Sequence, residues 1–330
     1  MGFSVASLYQ PVENEFALVQ QNLHRILSQT RSKALLEVNH YLLANPGKRL
    51  RPLLCLLAFK ASAPNRPIPK SVIEVASALE LLHMASLVHD DVIDHAEIRH
   101  NKPTIHKVWG EEVAIPMGVY LYTLSLQCIA RAGDLHVLKR VSHAVKILCE
   151  GELRQVFERG NAQLDLIKYL IILKKKTGIL FSTACHCGSY LADASKRDVF
   201  DLQFMGYALG MLFQISDDYM DVMGNTQALG KTAGQDVAMG EITLPFLYLL
   251  DEVSPEKQHH IHTLLRAQDP SALGELQAEL KASNALEKTK SLALNYADRA
   301  VVAVDRLPKS PYRKHLIDVI SALKIRAFGL

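Results

Sequence analysis

Two aspartate clusters carry the chemistry this sequence is equipped for. Asp90-Asp91-x-x-Asp94 closes the run SALELLHMASLVHDDVID, and Asp217-Asp218-x-x-Asp221 closes DVFDLQFMGYALGMLFQISDDYMD. Both follow long apolar stretches with helical three-to-four spacing. On a helix, Asp at i and i+4 project two carboxylates to one side, where they repel. Two such helix ends facing each other would crowd carboxylates around a cavity, and a hard divalent cation with oxygen ligands relieves that crowding. Mg2+ takes one or two carboxylates and fills its shell with water and substrate phosphates, so the expected ligand is a magnesium-held diphosphate.

A diphosphate also needs protein cations. GKRLRP supplies Lys48, Arg49 and Arg51, and Arg99 follows Asp94 by five residues. KKKTG supplies Lys174, Lys175 and Lys176, and LGKTAGQD supplies Lys231. Arg forks match phosphate oxygens bidentately, whereas Lys acts as a point charge. Each of these alone reads as a solvated surface charge. Set beside two carboxylate clusters, they point to a phosphate-bearing substrate. The glycine-rich stretch around Lys231 is not a P-loop, because the first Gly of GxxxxGK[ST] falls on Asn225 and no strand precedes it.

The elements that must position these groups are helices. Periodicity is helical nearly throughout, and strand-like alternation with turn dipeptides is absent. Breakers fall between the helical runs: NPG at 45–47, SAPNRPIP at 62–69, DP at 269–270 and SP at 310–311. Gly224 to Glu241 reads as a long loop and a candidate lid. The chain has 330 residues, 49% of them hydrophobic, with a net charge of +3. That supports a large core, and no basic block invites nucleic acid. Ala114 to Ala130 and Leu202 to Ser216 are uncharged, yet they read as buried helices rather than membrane spans. The five cysteines are scattered. Cys185-His186-Cys187 lacks the second pair that a zinc site wants, so it reads as part of a packed helix in a reducing cytoplasm. The N-terminus lacks the basic start and apolar core of a signal peptide, so no secretory leader is expected.

The motifs together resemble the all-trans polyprenyl diphosphate synthases, from NPGKRLRP to GEITLPFLYLL, with a weaker fit at SPYRKHLIDVISALKIRAF. In order they are GKRLRP, LLHMASLVHDDVID, R-x-x-KPT, EGELRQ, KKTGILF, FQISDDYMD, LGKTAGQD and TLPFLYLL. The resemblance implies an all-α fold over 1–330, a single-domain bundle of antiparallel helices around a deep central cavity (the isoprenoid synthase fold). It implies that Asp90, Asp94, Asp217 and Asp221 bind a cluster of about three Mg2+ ions on an allylic diphosphate, with Asp91 and Asp218 in support. Arg99, Lys176 and Lys231 would hold that diphosphate. Lys48, Arg51, His83 and His100 would hold isopentenyl diphosphate, and Thr177 and Gln214 would sit near the reacting carbons. A homodimer, or a heteromer with a small subunit, is the implied assembly. The product would be handed to membrane enzymes, and the enzyme would be cytoplasmic or peripheral at the membrane.

By the same resemblance the helix before Asp90 sets product length. Ala85 and Ser86 are small, and Leu81 and Leu82 lie one turn further back, ~5–6 Å along the helix, which suggests a long product of about C30 to C40. Geranylgeranyl or farnesyl diphosphate synthase is the alternative. Three positions depart from the family. Arg99-His100-Asn101 stands where Arg-Arg-Gly is usual, Val119 where Asp is common, and Glu241 where Lys is common. His100 is mostly neutral above its reference pKa of ~6.5, so weaker or pH-dependent isopentenyl diphosphate binding is expected. A class I terpene cyclase would carry a different second motif from DDYMDVMGN. A His-Asp phosphohydrolase built on His89-Asp90 leaves the second cluster unexplained. A non-catalytic subunit would have lost one cluster.

Overall fold

The computed structural model describes residues 5–44, 47–224 and 234–329. It is helical almost throughout: α1 (Glu13–Ser28), α2 (Lys33–Leu43), α3 (Leu50–Ser62), α4 (Lys70–Ile93), α5 (Ile105–Trp109), α6 (Glu111–Ala132), α7 (Leu135–Phe157), α8 (Leu166–Leu173), α9 (Ile179–Leu191) and α10 (Lys196–Val222). After these come α11 (Gln235–Ala238), α12 (Leu244–Leu250), α13 (Pro255–Arg266), α14 (Leu273–Ala282), α15 (Ala285–Asp305) and α16 (Pro311–Phe328). The breakers that the structure describes fall at or between helix ends: 62–69 runs from the last residue of α3 to the start of α4, and Pro311 opens α16. Ends are capped as the sequence suggests: Asp134 accepts from the Val137 amide at 2.9 Å and Asp165 from that of Lys168 at 2.8 Å.

α3 is buried from Leu50 to Ala61, and α4 is buried over most of its length. A helix apolar on all sides belongs in the middle of a bundle. α4 and α6 run antiparallel. Arg131 near the end of α6 pairs with Glu74 near the start of α4 at 3.0 Å, and His89 near the end of α4 meets the Ile115 carbonyl at 3.1 Å. At that second crossing Gly118 faces His89. A Cβ there would lie 2.1 Å from Nε2, so glycine at this position leaves the room that the His89 ring occupies. His89 is therefore a packing residue, and the phosphohydrolase reading loses its histidine.

The structure amends three expectations. A two-stranded hairpin, β1 (Ile98–Arg99) with β2 (Lys102–Pro103), follows the first aspartate cluster. Its turn residues His100 and Asn101 have φ of 50° and 62°. Positive φ at both positions defines the turn that matches strand twist, and Asn tolerates that region well. The expected loop from Gly224 to Glu241 contains α11, a short helix. α6 is not fully buried, since Ile115 and Val119 are about half exposed.

Cys185 and Cys187 are buried, as a packed helix requires. His186 lies between His136 Nε2 at 3.0 Å and Gln203 Oε1 at 2.9 Å, a hydrogen-bonded chain joining α7, α9 and α10.

Candidate active site

The first aspartate cluster ends α4 and the second ends α10. α11 links the two: Gln235 Nε2 donates to the Asp94 carbonyl at 2.8 Å, and the Asp236 amide donates to Asp221 Oδ2 at 3.1 Å. Lys176 arrives between them on Lys174–Gly178, a wide π-turn inserted between α8 and α9. Such insertions re-aim side chains and recur at functional sites. α7 passes close behind. A Cβ on Gly151 would lie 2.8 Å from the Lys176 amide nitrogen, which explains the glycine in EGELRQ.

Most of the clustered carboxylates have a partner. Arg99 clasps Asp91 Oδ1 with two nitrogens, at 2.6 and 2.8 Å. Arg159 pairs with Asp94. Arg326, from the last turn of α16, reaches Asp217 at 2.9 Å. Asp218 is buried and accepts from the Tyr169 hydroxyl and, at 2.9 Å, from Gln214 Nε2. Gln214 in turn accepts from Thr177 Oγ1 at 2.7 Å, so the two residues expected near the reacting carbons share one hydrogen-bond chain with Asp218. Lys176 pairs with Glu152 at 2.9 Å.

Burial and neighbouring charge set the state of each group. Burial, reinforced by the Glu152 and Asp94 carboxylates, pushes Asp90 up to about 7 against the pull of Lys176 and Arg99. Burial alone would lower Lys176, but Asp90, Glu152, Glu241 and Asp94 outweigh it and hold the ammonium charged. Burial and the nearby Arg326 bring Lys48 down to about 8, with Asp217 opposing. Burial brings Arg51 down to about 10 against Glu80, Asp90 and Asp217. Burial, with Arg51, Arg99 and His100 close by, keeps His83 neutral. Lys48, Arg51, His83 and His100 thus share one neighbourhood. The His100 ring lies over Gly47, where a Cβ would come within 3.1 Å of Cε1.

The donor set suits a hard divalent cation. The clustered side chains offer oxygen, and burial beside other carboxylates penalises Asp90 for charge that a cation would balance. Among the described residues no three His, Cys, Asp or Glu form a ready-made cage. That fits an ion held by one or two carboxylates plus phosphate oxygens, not an all-protein site.

Lys231 lies outside the described residues. Ala85 and Leu82 are buried, and Ser86 is half-buried with its hydroxyl on the His83 carbonyl at 2.9 Å. Ala85 shares its helix face with His89, the face toward α6. Sequence reasoning did not single out Arg159, Arg326, Glu152 or Tyr169. Arg326 lies in the C-terminal stretch of weaker resemblance, Glu152 lies within EGELRQ but was given no role there, and Arg159 and Tyr169 carry no local motif of their own.

The polyprenyl synthetase family model matches residues 32–282. Component 2 of the heptaprenyl diphosphate synthase of Geobacillus stearothermophilus is 34% identical over 313 residues, spanning 95% of this chain and 96% of that protein. The octaprenyl diphosphate synthase of Escherichia coli is 32% identical over 297 residues, spanning 88% and 90%. A crystal structure of a Caulobacter crescentus polyprenyl synthase, complexed with calcium and isoprenyl diphosphate, superposes with a TM-score of 0.92 at 29% identity and covers 98% of both chains. These likenesses run nearly the full length of both partners and agree with the two aspartate-ended helices. The chain belongs to the polyprenyl synthetase family, and it is a prenyltransferase with the isoprenoid synthase fold.

Proposed function

We propose that this prenyltransferase joins isopentenyl diphosphate head-to-tail to an allylic diphosphate and makes a long product, about C30 to C40, in a pocket whose floor is set by helix geometry. One observation carries the reading. α11 ties together two aspartate-ended helices, and the cations gather around them: Lys176 and Arg51 act on Asp90, Arg99 clasps Asp91, Lys48 feels Asp217, and His83 lies beside Arg51, Arg99 and His100. Asp90, Asp94, Asp217 and Asp221 would hold Mg2+, which supplies positive charge to the leaving diphosphate.

Arg99 and Lys176 orient the allylic diphosphate and stabilise the charge that builds as its C–O bond breaks. Lys48, Arg51 and His83 hold isopentenyl diphosphate with its double bond toward the allylic carbon. The double bond attacks that carbon, a new C–C bond forms, and the resulting cation loses a proton to the released diphosphate. Thr177 and Gln214 line the reacting carbons, and the apolar faces of α4 and α9 exclude the water that would quench the cation. Long-chain relatives support the product length, and small Ala85 and Ser86 leave the floor open.

We also propose a second copy of this chain on the apolar face of α6 and α7. Ile115, Val119, Leu153 and Phe157 are exposed there. The relative named a synthase component favours a small subunit as the other occupant.

Purified protein incubated with Mg2+, labelled isopentenyl diphosphate and primers of several lengths tests the reading by product sizing. The expected outcome is one long product class, its loss in Asp90→Asn, and a shorter product in Ala85→Phe. Consumption of allylic substrate without isopentenyl diphosphate would instead mark a terpene cyclase. An unchanged chain length in Ala85→Phe would sink the pocket reading.

A further inference from the structure

Glu241 places a carboxylate beside the proposed diphosphate site, where an anion should meet repulsion. It is mostly buried, and desolvation raises its pKa against the pull of Lys176 and Arg159. Its companions come from the end of α7. Gln155 Nε2 donates to Oε2, while Arg159 donates to Oε1 through Nε at 3.3 Å and Nη2 at 3.2 Å. The same Nη2 pairs with Asp94. The backbone fixes this junction, since the Gly160 amide donates to the Gly240 carbonyl at 2.9 Å and Arg266 Nε to the Gly160 carbonyl at 2.9 Å. Asp94, Gln155, Arg159, Lys176, Asp218 and Glu241 line one cavity of about 100 Å³.

We propose that Arg159 is a diphosphate-binding residue of this enzyme and that Glu241 is the positioning residue that anchors it. The proposal rests on the reading of the site as a prenyl diphosphate synthase. Asp94 is needed for the cation, so substrate arrival draws it away from Arg159. Nε stays on Glu241, and a guanidinium carries five N–H donors in a planar fork. Nη2, once released from Asp94, then joins Nη1 at the cavity that Arg159 and Lys176 both line, and the two can take a phosphate oxygen pair. Glu241 occupies a position where the family commonly carries Lys. The cation absent there is delivered from just past the end of α7 instead, and the carboxylate becomes its holder.

Two readouts test this: the KM for allylic diphosphate, and calorimetric binding of inorganic diphosphate in Mg2+. Arg159→Leu should weaken both by at least about tenfold, the scale of a lost charge-assisted bond, and leave the KM for isopentenyl diphosphate within about twofold. Arg159→Lys should retain more than Arg159→Leu, and Arg159→Leu with Glu241→Lys should recover most of the loss. Unchanged diphosphate binding and unchanged allylic KM in a folded Arg159→Leu protein would overturn the proposal. If Arg159→Leu does not fold, the double variant decides: near-native diphosphate binding supports the proposal, and binding lost in a protein with a native melt overturns it. Wild-type protein that makes no prenyl product would refute the functional reading, while the calorimetric arm would still judge Arg159.

Discussion

Lys48 is a cation held where burial works against its charge. Its pKa falls to about 8, with Arg326 adding to the effect of burial and Asp217 opposing it. A lysine with a lowered pKa is charged below that value and neutral above it, so its grip on a diphosphate weakens as pH rises. The KM for isopentenyl diphosphate should therefore climb above pH 8, approaching about tenfold per pH unit. Lys48→Arg keeps the charge and should flatten the climb; a flat wild-type profile from pH 7.5 to 9.5 would remove Lys48 from the contact set. Lys48, Arg51 and His83 could be nominated from the sequence because GKRLRP and LLHMASLVHDDVID single them out. Arg159 could not, because its value lies in partners 65 and 82 residues away. A single arginine past a helix end reads as a solvated charge until the fold closes around it. His100 was legible only as an oddity, and the hairpin turn gives a backbone reason for His-Asn at that point.

At the scale of elements, the π-turn and the helix behind it work as a pair. Lys176 depends on the backbone of Lys174–Gly178, and α7 supports that backbone through Gly151. A methyl at Gly151 would press on Lys175 and Lys176 main-chain atoms, which cannot swing aside as a side-chain tip can. Gly151→Ala should cost about 1–3 kcal/mol of stability and lower kcat/KM by up to about 100-fold through displacement of Lys176. Gly274→Ala on α14 meets open space and serves as the control. Equal melting temperature and activity in the two variants would refute the support role. The helices themselves were legible from apolar spacing and breakers. The π-turn was not, because one extra residue per turn leaves no mark in a short run of lysines, and α11 was hidden by the glycines around it.

For the whole molecule, the exposed apolar side chains of α6 and α7 bear on the proposed assembly. Phe157 is 81% exposed and Val119 54%. Burying a large apolar side chain yields about 1.5–3 kcal/mol, which favours a second copy on that face. Sedimentation should give twice the chain mass, and Phe157→Glu should shift it toward one chain; a wild-type protein that sediments as one chain at micromolar concentration would sink the homodimer. The sequence led to expecting α6 inside the bundle, since apolar composition does not say whether the covering partner is the same chain or another. α4 carries His83 of the proposed isopentenyl site, Ala85 of the proposed floor and Asp90 along one rod, and Asp94 caps its end. Ala85 and Asp94 are nine residues apart, a span of ~13.5 Å. A change of side chain at the floor leaves the backbone that aims the aspartates in place. In descent, product length can therefore drift by single substitutions while the bond-making step is inherited intact.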